Sequence, residues 1–328
     1  MPLASSLRRS GISSKRVGLE KVPCGIGRLY TKCMPKVDAY LGVARGPFLI
    51  LPLTLVISGA GASLYDGGFS WLHTVIALVG LVALHMAVNI FNEVSDFKRG
   101  IDLETEATPF SGGSGTLPRG GMSAATAMFF GIVCSLVGAG AGVYFFVEVG
   151  APMVPLFVVG AVLVLTYTDL LARIGLGEAA AGLGLGALPV LGTALVQDGL
   201  AGPAAVAACI PAYLMTFNLL LLNEFPDEIA DRNGGRRNLV LLAGRRGAAC
   251  IYTLSALAVP GSLAVAVWFD ALPAVALVAA VPTLCVVKAM RWSLTRPEEN
   301  PPIPAMAGNV IWNLATNAVL GTTLILAA

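Results

Sequence analysis

Apolar residues in this chain come in runs of about 20, the length at which a helix crosses a hydrocarbon core of roughly 30 Å. Nine such runs stand at about 46–65, 70–92, 123–147, 152–171, 179–197, 203–223, 247–268, 271–290 and 306–327. Turn signals divide them, among them Asp66-Gly67-Gly68, Gly150-Ala151-Pro152, the stretch from Gly199 to Pro203 and that from Pro297 to Pro304. The short alternating segments of a membrane β-barrel are absent. The pattern predicts an all-α membrane protein built as a bundle of nine transmembrane helices.

The charges test this layout independently. Nine spans sort the connections into two sets. Lys and Arg fall only in the set that holds the N-terminal segment and the connections near 93–122, 172–178, 224–246 and 291–305, or at its edge, as Arg45 and Lys288 do. The opposite set carries Asp66, Glu148, Asp198 and Asp270 and no basic residue. By the positive-inside rule, the N terminus and the large connections face the cytoplasm and the C terminus lies outside. A multi-pass protein of a bacterial or archaeal plasma membrane is the expected setting. Residues 1–37 read as a basic cytoplasmic tail without the apolar centre of a cleavable signal, an organelle transit peptide being the alternative. Residues 38–328 read as one membrane domain.

Composition agrees. Of the 328 residues, 56% are hydrophobic and 12% charged, about half the charged share of an ordinary soluble domain. Lipid must therefore cover much of the surface, and no nucleic-acid partner is expected. The 38 glycines suit close helix approach within a membrane rather than disorder. Six cysteines form no CxxC pair and read as small structural thiols.

Two acidic clusters break the apolar pattern. The second run ends in Asn89-Ile90-Phe91-Asn92-Glu93-Val94-Ser95-Asp96, with Asp102 six residues on. The sixth ends in Asn223-Glu224-Phe225-Pro226-Asp227-Glu228-Ile229-Ala230-Asp231. Both contain Asn-Glu-x-x-Asp. On a helix Asn92 and Asp96 share a face, as do Asn223, Asp227 and Asp231. An even number of crossings separates the two runs, so both clusters emerge on one side. Carboxylates at the end of a membrane helix are costly unless paired, hydrated or bound to a cation. Hard oxygen donors of this kind suit Mg²⁺ shared with phosphate oxygens. Plain solvated helix ends explain one such cluster easily and two matched ones poorly.

Cations flank the acids. Lys98, Arg99 and Arg119 lie in the first large connection, Arg232, Arg236 and Arg237 in the second, and Arg45 and Arg173 on the same side. Lys98 and Arg232, adjacent to the acids, read as anion-binding groups, and Arg245 and Arg246 as topological charges. Ser111-Gly112-Gly113-Ser114-Gly115 reads as a loop able to close over phosphates with its backbone N–H groups. His85, one turn before Asn89, points either into the site or across to another helix. His73 reads as interfacial.

These features together resemble the UbiA superfamily of intramembrane prenyltransferases, and within it the branch acting on 1,4-dihydroxy-2-naphthoate in menaquinone biosynthesis. The first family motif, N-x-x-N-D-x-x-D-x-x-x-G-x-D, is matched from Asn89 to Asp102 with Glu93 in place of Asp. The second is matched from Asp227 to Leu239, where Arg237-Asn238-Leu239 departs from the usual K-x-T-L. Two further stretches are similar to that branch, Pro109 to Gly115 with Leu117, and Tyr167-Thr168 with Gly175 to Glu178. The resemblance implies nine helices around a central cavity with cytoplasmic cap loops. It implies Mg²⁺ on Asn92, Asp96, Asp227 and Asp231, with Asp102 and Asn223 in support, holding a polyprenyl diphosphate. Lys98, Arg119 and Arg232 are then expected to neutralise the leaving diphosphate, with Asp96 and Asp227 central to catalysis. Arg45, Asn89, Tyr167, Arg173 and Arg236 are expected to bind substrates, Tyr167 either facing the cation or packing against lipid. The implied partners are a prenyl diphosphate, an aromatic acceptor and membrane lipid. Another acceptor (hydroxybenzoate, glycerol phosphate, haem or a chlorophyll-like ring) is the nearest rival, and an ion-coupled transporter the rival of a different class.

Overall fold

The computed structural model describes residues 36–100, 108–110 and 113–328, which fall in one compact unit, Pro35–Ala328. All the regular structure among them is helical. A short α1 (Lys36–Val43) precedes eight helices long and apolar enough to cross a membrane and one shorter apolar helix. In chain order these are α2 (Gly46–Asp66), α3 (Trp71–Arg99), α4 (Ala124–Val149), the shorter α5 (Met153–Thr166) and α6 (Gly177–Asp198). They continue with α7 (Pro203–Asn233), α8 (Leu239–Trp268), α9 (Ala274–Thr295) and α10 (Ile303–Ala327). The chain is thus an integral multi-pass membrane protein, with nine apolar helices among the described residues.

Three departures from the expected spans have physical causes. Helices α3 and α7 run past 92 and 223 to Arg99 and Asn233, so both acidic clusters ride on helix rather than loop. Lys, Arg and Glu are good helix formers and need only project beyond the hydrocarbon layer. Helix α5 stops at Thr166 and widens into a π-turn over Tyr167–Leu171, because the chain must turn at Gly175 (φ 86°) to enter α6. Helix α9 is wound as a 3₁₀ helix over Ala274–Val286 and as an α-helix from Val287. Of the cysteines read as small structural thiols, Cys134 is buried, whereas Cys250 lies exposed on α8. Cys24 and Cys33 lie outside the described residues.

Helices α2, α6 and α7 are central, with 61% of their apolar windows buried, against 22% for α4 and α9. Lipid transfer between apolar partners drives little association here, so small residues and polar bonds carry the packing. Gly61 and Gly321 bring α2 and α10 together at backbone distance. A Cβ on Gly61 would lie 2.4 Å from the Gly321 carbonyl, and one on Gly321 would lie 2.5 Å from the Ile57 carbonyl. Gly186 does the same for α6 against the Ala212 carbonyl of α7, at 2.5 Å. A ladder of asparagines adds direction. Asn218 donates to the Tyr252 carbonyl at 3.0 Å, Asn309 to the Asn218 carbonyl at 3.1 Å, and Asn313 to Thr216 Oγ1 at 3.2 Å.

Both ends are tied. At the end without basic residues, Gln197 accepts from the Ser70 N–H at 2.7 Å and donates to Thr74, while Asp66 accepts from the Ala204 N–H that opens α7. There His73 packs edge-on against Tyr144 and Phe145. At the other end Arg245 does more than mark topology. It pairs with Glu228 at 2.9 Å and donates to Pro297 and Glu299 carbonyls and Asn300 Oδ1, joining α7, α8 and the α9–α10 connection.

Gly321→Val should lower the melting temperature of the detergent-purified protein, at a cost of about 1–3 kcal/mol for an overpacked contact. Gly140→Val, where a Cβ meets nothing within 4 Å, should leave it within about 0.5 kcal/mol.

Candidate functional site

The acid-bearing ends of α3 and α7 converge on one cavity of about 610 Å³. That lies within the range of small-molecule sites, roughly 300–1,000 Å³. Its mouth is lined by Arg45, Asn89, Asn92, Asp96, Asn223, Asp227, Asp231 and Arg236, with Glu224 and Tyr167 among them. Its depth is apolar, walled by residues such as Leu84, Phe145, Phe157, Leu188 and Leu219. Four carboxyls at the mouth thus face two guanidiniums.

Arg236, in the α7–α8 connection, joins the two clusters. Its Nη2 donates to Asn92 Oδ1 at 2.7 Å and to Asp96 Oδ1 at 2.5 Å, and its Nη1 lies 3.7 Å from Asp231 Oδ1. Burial works against the charge on Arg236, but Asp96 and Asp231 outweigh it and raise its pKa above the ordinary arginine value. The guanidinium therefore stays charged at every relevant pH. Asn92 Nδ2 donates to the second Asp96 oxygen at 3.0 Å, the i,i+4 bond that the helical spacing calls for.

Asp231 is aimed from the other side. Asn238 donates from Nδ2 to Asp231 Oδ2 at 2.9 Å, while its Oδ1 caps α8 by accepting from the Leu241 N–H at 2.9 Å. The next residue, Leu239, donates its N–H to the buried Glu178 at 2.5 Å. Asn238, standing where the motif it resembles has Thr, is thus an amide that serves helix and carboxylate together. Asp227, one turn before Asp231, keeps a buried Oδ1 with no hydrogen-bond partner, and Glu224 a buried Oε2 likewise. Pro226 sits between Asn223 and Asp227, so α7 lacks one ladder donor within the cluster.

A cap of residues 113–121 covers this end. Glu93, fully buried, accepts from the Ser114 N–H at 2.9 Å and from its hydroxyl. Arg119 folds back onto the Ser114 carbonyl at 2.7 Å, and Gly115 takes a left-handed φ of 66°. The glycine-rich loop is thus pinned by Glu93 in its described part; Ser111 and Gly112 lie outside the described residues. Arg45, itself left-handed at φ 54°, stands with its Nε 3.8 Å from Glu93, and Asn89 donates to the Ala44 carbonyl at 3.0 Å.

The structure therefore gathers Arg45, Asn89, Asn92, Asp96, Tyr167, Asn223, Asp227, Asp231 and Arg236 around one space. It does not bring the other expected cations there. Lys98 is exposed and Arg119 is spent on the cap. Arg173 is exposed. Arg232 is 66% exposed in its side chain and pairs with Glu228 at 2.9 Å, because it falls one position past Asp231 and so turns about 100° off the site face. Asp102 lies outside the described residues. Sequence reasoning missed the parts of Asn238 and Glu178. Asn238 was legible as an N-cap before an apolar run, but the partner of Glu178 comes 61 residues away.

An acidic, cation-lined mouth over an apolar cavity in a helical membrane bundle has the polarity of a site for a molecule with a charged head and an apolar tail. Residues 52–314 match the sequence model of the UbiA prenyltransferase family, and the chain belongs to that family. Over 175 residues it is 28% identical to 1,4-dihydroxy-2-naphthoate octaprenyltransferase of Bacillus subtilis (strain 168), a stretch covering 52% of this chain and 55% of that protein. The fold is similar to a UbiA homologue from Aeropyrum pernix K1 (TM-score 0.63, 18% identity, 85% of this chain and 98% of that one). It is also similar to one from Archaeoglobus fulgidus bound to DMAPP and Mg²⁺ (TM-score 0.58, 15% identity, 88% and 99%).

Asn238→Ala should destabilise the protein by about 1 kcal/mol through the lost cap alone, visible as a lower melting temperature. Asn238→Ser, which can keep the cap but reaches less far toward Asp231, should recover most of that stability.

Proposed function

We propose that this enzyme transfers the prenyl group of a polyprenyl diphosphate to an aromatic acceptor such as 1,4-dihydroxy-2-naphthoate, in menaquinone-type quinone biosynthesis, with Mg²⁺ at the acidic mouth. The observation that carries this reading is the meeting of both Asn/Asp clusters at the mouth of a single apolar cavity. The Bacillus relative supports the acceptor class, and the Archaeoglobus homologue supports a prenyl diphosphate with Mg²⁺. The charge split across the connections supports a cytoplasmic mouth.

The residues present fit a divalent cation. Among the described residues no three His, Cys, Asp or Glu side chains stand close enough to hold a metal by themselves. The donor set is instead mixed, with Asn92 and Asn223 amides beside Asp96, Asp227 and Asp231 carboxylates. The orphaned Asp227 oxygen and the two excess carboxyls at the mouth call for added positive charge. When bound, Mg²⁺ would supply charge to a leaving diphosphate.

The chain's own groups do the rest. Arg236, held between the clusters, offers N–H donors to phosphate oxygens, and Arg45 adds a second guanidinium from the cap side. The apolar walls take the prenyl tail and keep water from an allylic cation. Tyr167 lines the same space and presents a ring to positive charge.

In lipid nanodiscs, purified protein should transfer a short allylic chain to 1,4-dihydroxy-2-naphthoate with Mg²⁺ and lose that activity with EDTA. Asp96→Ala and Asp227→Ala should each lower the rate by about 100-fold or more. Full activity in the double variant sinks the proposed mechanism. Product mass spectrometry over a panel of acceptors tests the naphthoate assignment separately.

A further inference from the structure

One polar side chain of the cavity has no part in the arrangement above. His85 lies on α3, and His85, Asn89, Asn92 and Asp96 follow at steps of four, three and four residues, so they share one helix face. Each of the other three is engaged: Asn89 with the Ala44 carbonyl, Asn92 with Asp96, and Asp96 with Arg236. His85 is 4% exposed, lines the cavity, and makes no hydrogen bond among the described residues. A buried imidazole in a membrane helix ordinarily bonds to a neighbouring helix. The ring nitrogens of His85 are not among the enclosed polar atoms left without a partner, so the cavity is their outlet.

Its depth assigns the partner. Asn92 and Asp96 lie two and three turns further toward the mouth, where a diphosphate belongs; Arg45 is the charged group near enough to act on His85, and the walls beyond it are largely apolar. A group reaching His85 from the cavity must therefore be uncharged where it touches the ring and able to hydrogen-bond. A ring hydroxyl on a flat aromatic body meets both conditions, and a prenyl tail meets only the first.

We propose that His85 is the acceptor-binding base, hydrogen-bonded to a hydroxyl of the aromatic substrate and taking its proton. This rests on the prenyl-transfer reading above. As the hydroxyl proton passes to the imidazole, the ring gains electron density at the carbon beside that oxygen. A π pair from that carbon forms the new C–C bond to the allylic carbon. The allylic C–O bond breaks with its electron pair going to diphosphate. The ring proton displaced from the attacked carbon leaves with the diphosphate, and the imidazolium returns its proton to the ring oxygen. No oxidant or reductant enters.

The test uses full-length protein in nanodiscs with Mg²⁺, an inert geranyl thiolodiphosphate as donor probe, and 1,4-dihydroxy-2-naphthoate or its O-methyl ethers as acceptors. His85→Ala should bind the donor probe within about twofold of wild type, lose about tenfold in acceptor affinity, and lose about 100-fold in transfer. His85→Gln, which keeps a hydrogen bond but cannot take the proton, should regain acceptor affinity and not transfer. One O-methyl ether should be a poor substrate for the wild type. Unchanged acceptor affinity and transfer in His85→Ala overturn the proposal. So does a parallel loss of donor-probe binding in both variants, which would make His85 part of the donor site or the fold. If wild type binds the donor probe yet modifies no hydroxylated ring, the prenyl-transfer reading fails first, and that result is distinct from either of these.

Discussion

The two acidic clusters are joined by one guanidinium, that of the partly buried Arg236. Asp96 and Asp231 sit on different helices, 135 positions apart in the chain, at the edge of a membrane bundle where unpaired carboxylates are expensive. Arg236 touches both and Asn92 besides, so the ends of α3 and α7 are held together by a charge that burial cannot remove. Breaking a buried pair of this kind usually costs about 3–5 kcal/mol, because the partner is left uncompensated. The same group stands where a diphosphate would need a donor on the proposed reading.

That cluster can be precise only because the helices under it do not slide. Apolar surface cannot supply this in lipid, so the bundle uses contacts that tolerate no extra atom, such as Gly61 on Gly321 and Gly186 on Ala212. Hydrogen bonds from Asn218, Asn309 and Asn313 then fix α7, α8 and α10 in register. Arg245 closes the frame near the site by tying α7 and α8 to the connection before α10. The cap is fastened from below, since Glu93 has traded a place among the cavity donors for the Ser114 N–H and hydroxyl.

The cavity combines two environments that one small space rarely holds. Its mouth carries formal charge and its depth is apolar, with His85 on the wall between them. A substrate with a charged head and a long hydrocarbon tail matches that division. On the proposed reading the apolar depth keeps water from a reactive carbon, and the polar mouth concentrates donors where a leaving group departs.

Hydropathy, turn residues and charge sorting were enough to read nine apolar helices among the described residues and the meeting of two Asn/Asp clusters at one cavity. Each depends on local period or on a cost that acts on single residues, such as moving Lys or Arg into lipid. The i,i+4 relation of Asn92 to Asp96 was equally legible, being a property of one helix. Which cation meets those acids was not. Arg232 looked better placed than Arg236 because it adjoins Asp231, yet one residue turns a helix by about 100° and carried it out to solvent. Arg236, beyond the helix end, is free of that register and folds back over the clusters. Likewise, Glu178 reaches Leu239 and Asn238 orients Asp231 only after α6, α7 and α8 have packed. Helical period and membrane cost are written along the chain, whereas contacts between segments far apart in it depend on how helices are rotated against one another, and only packing decides that.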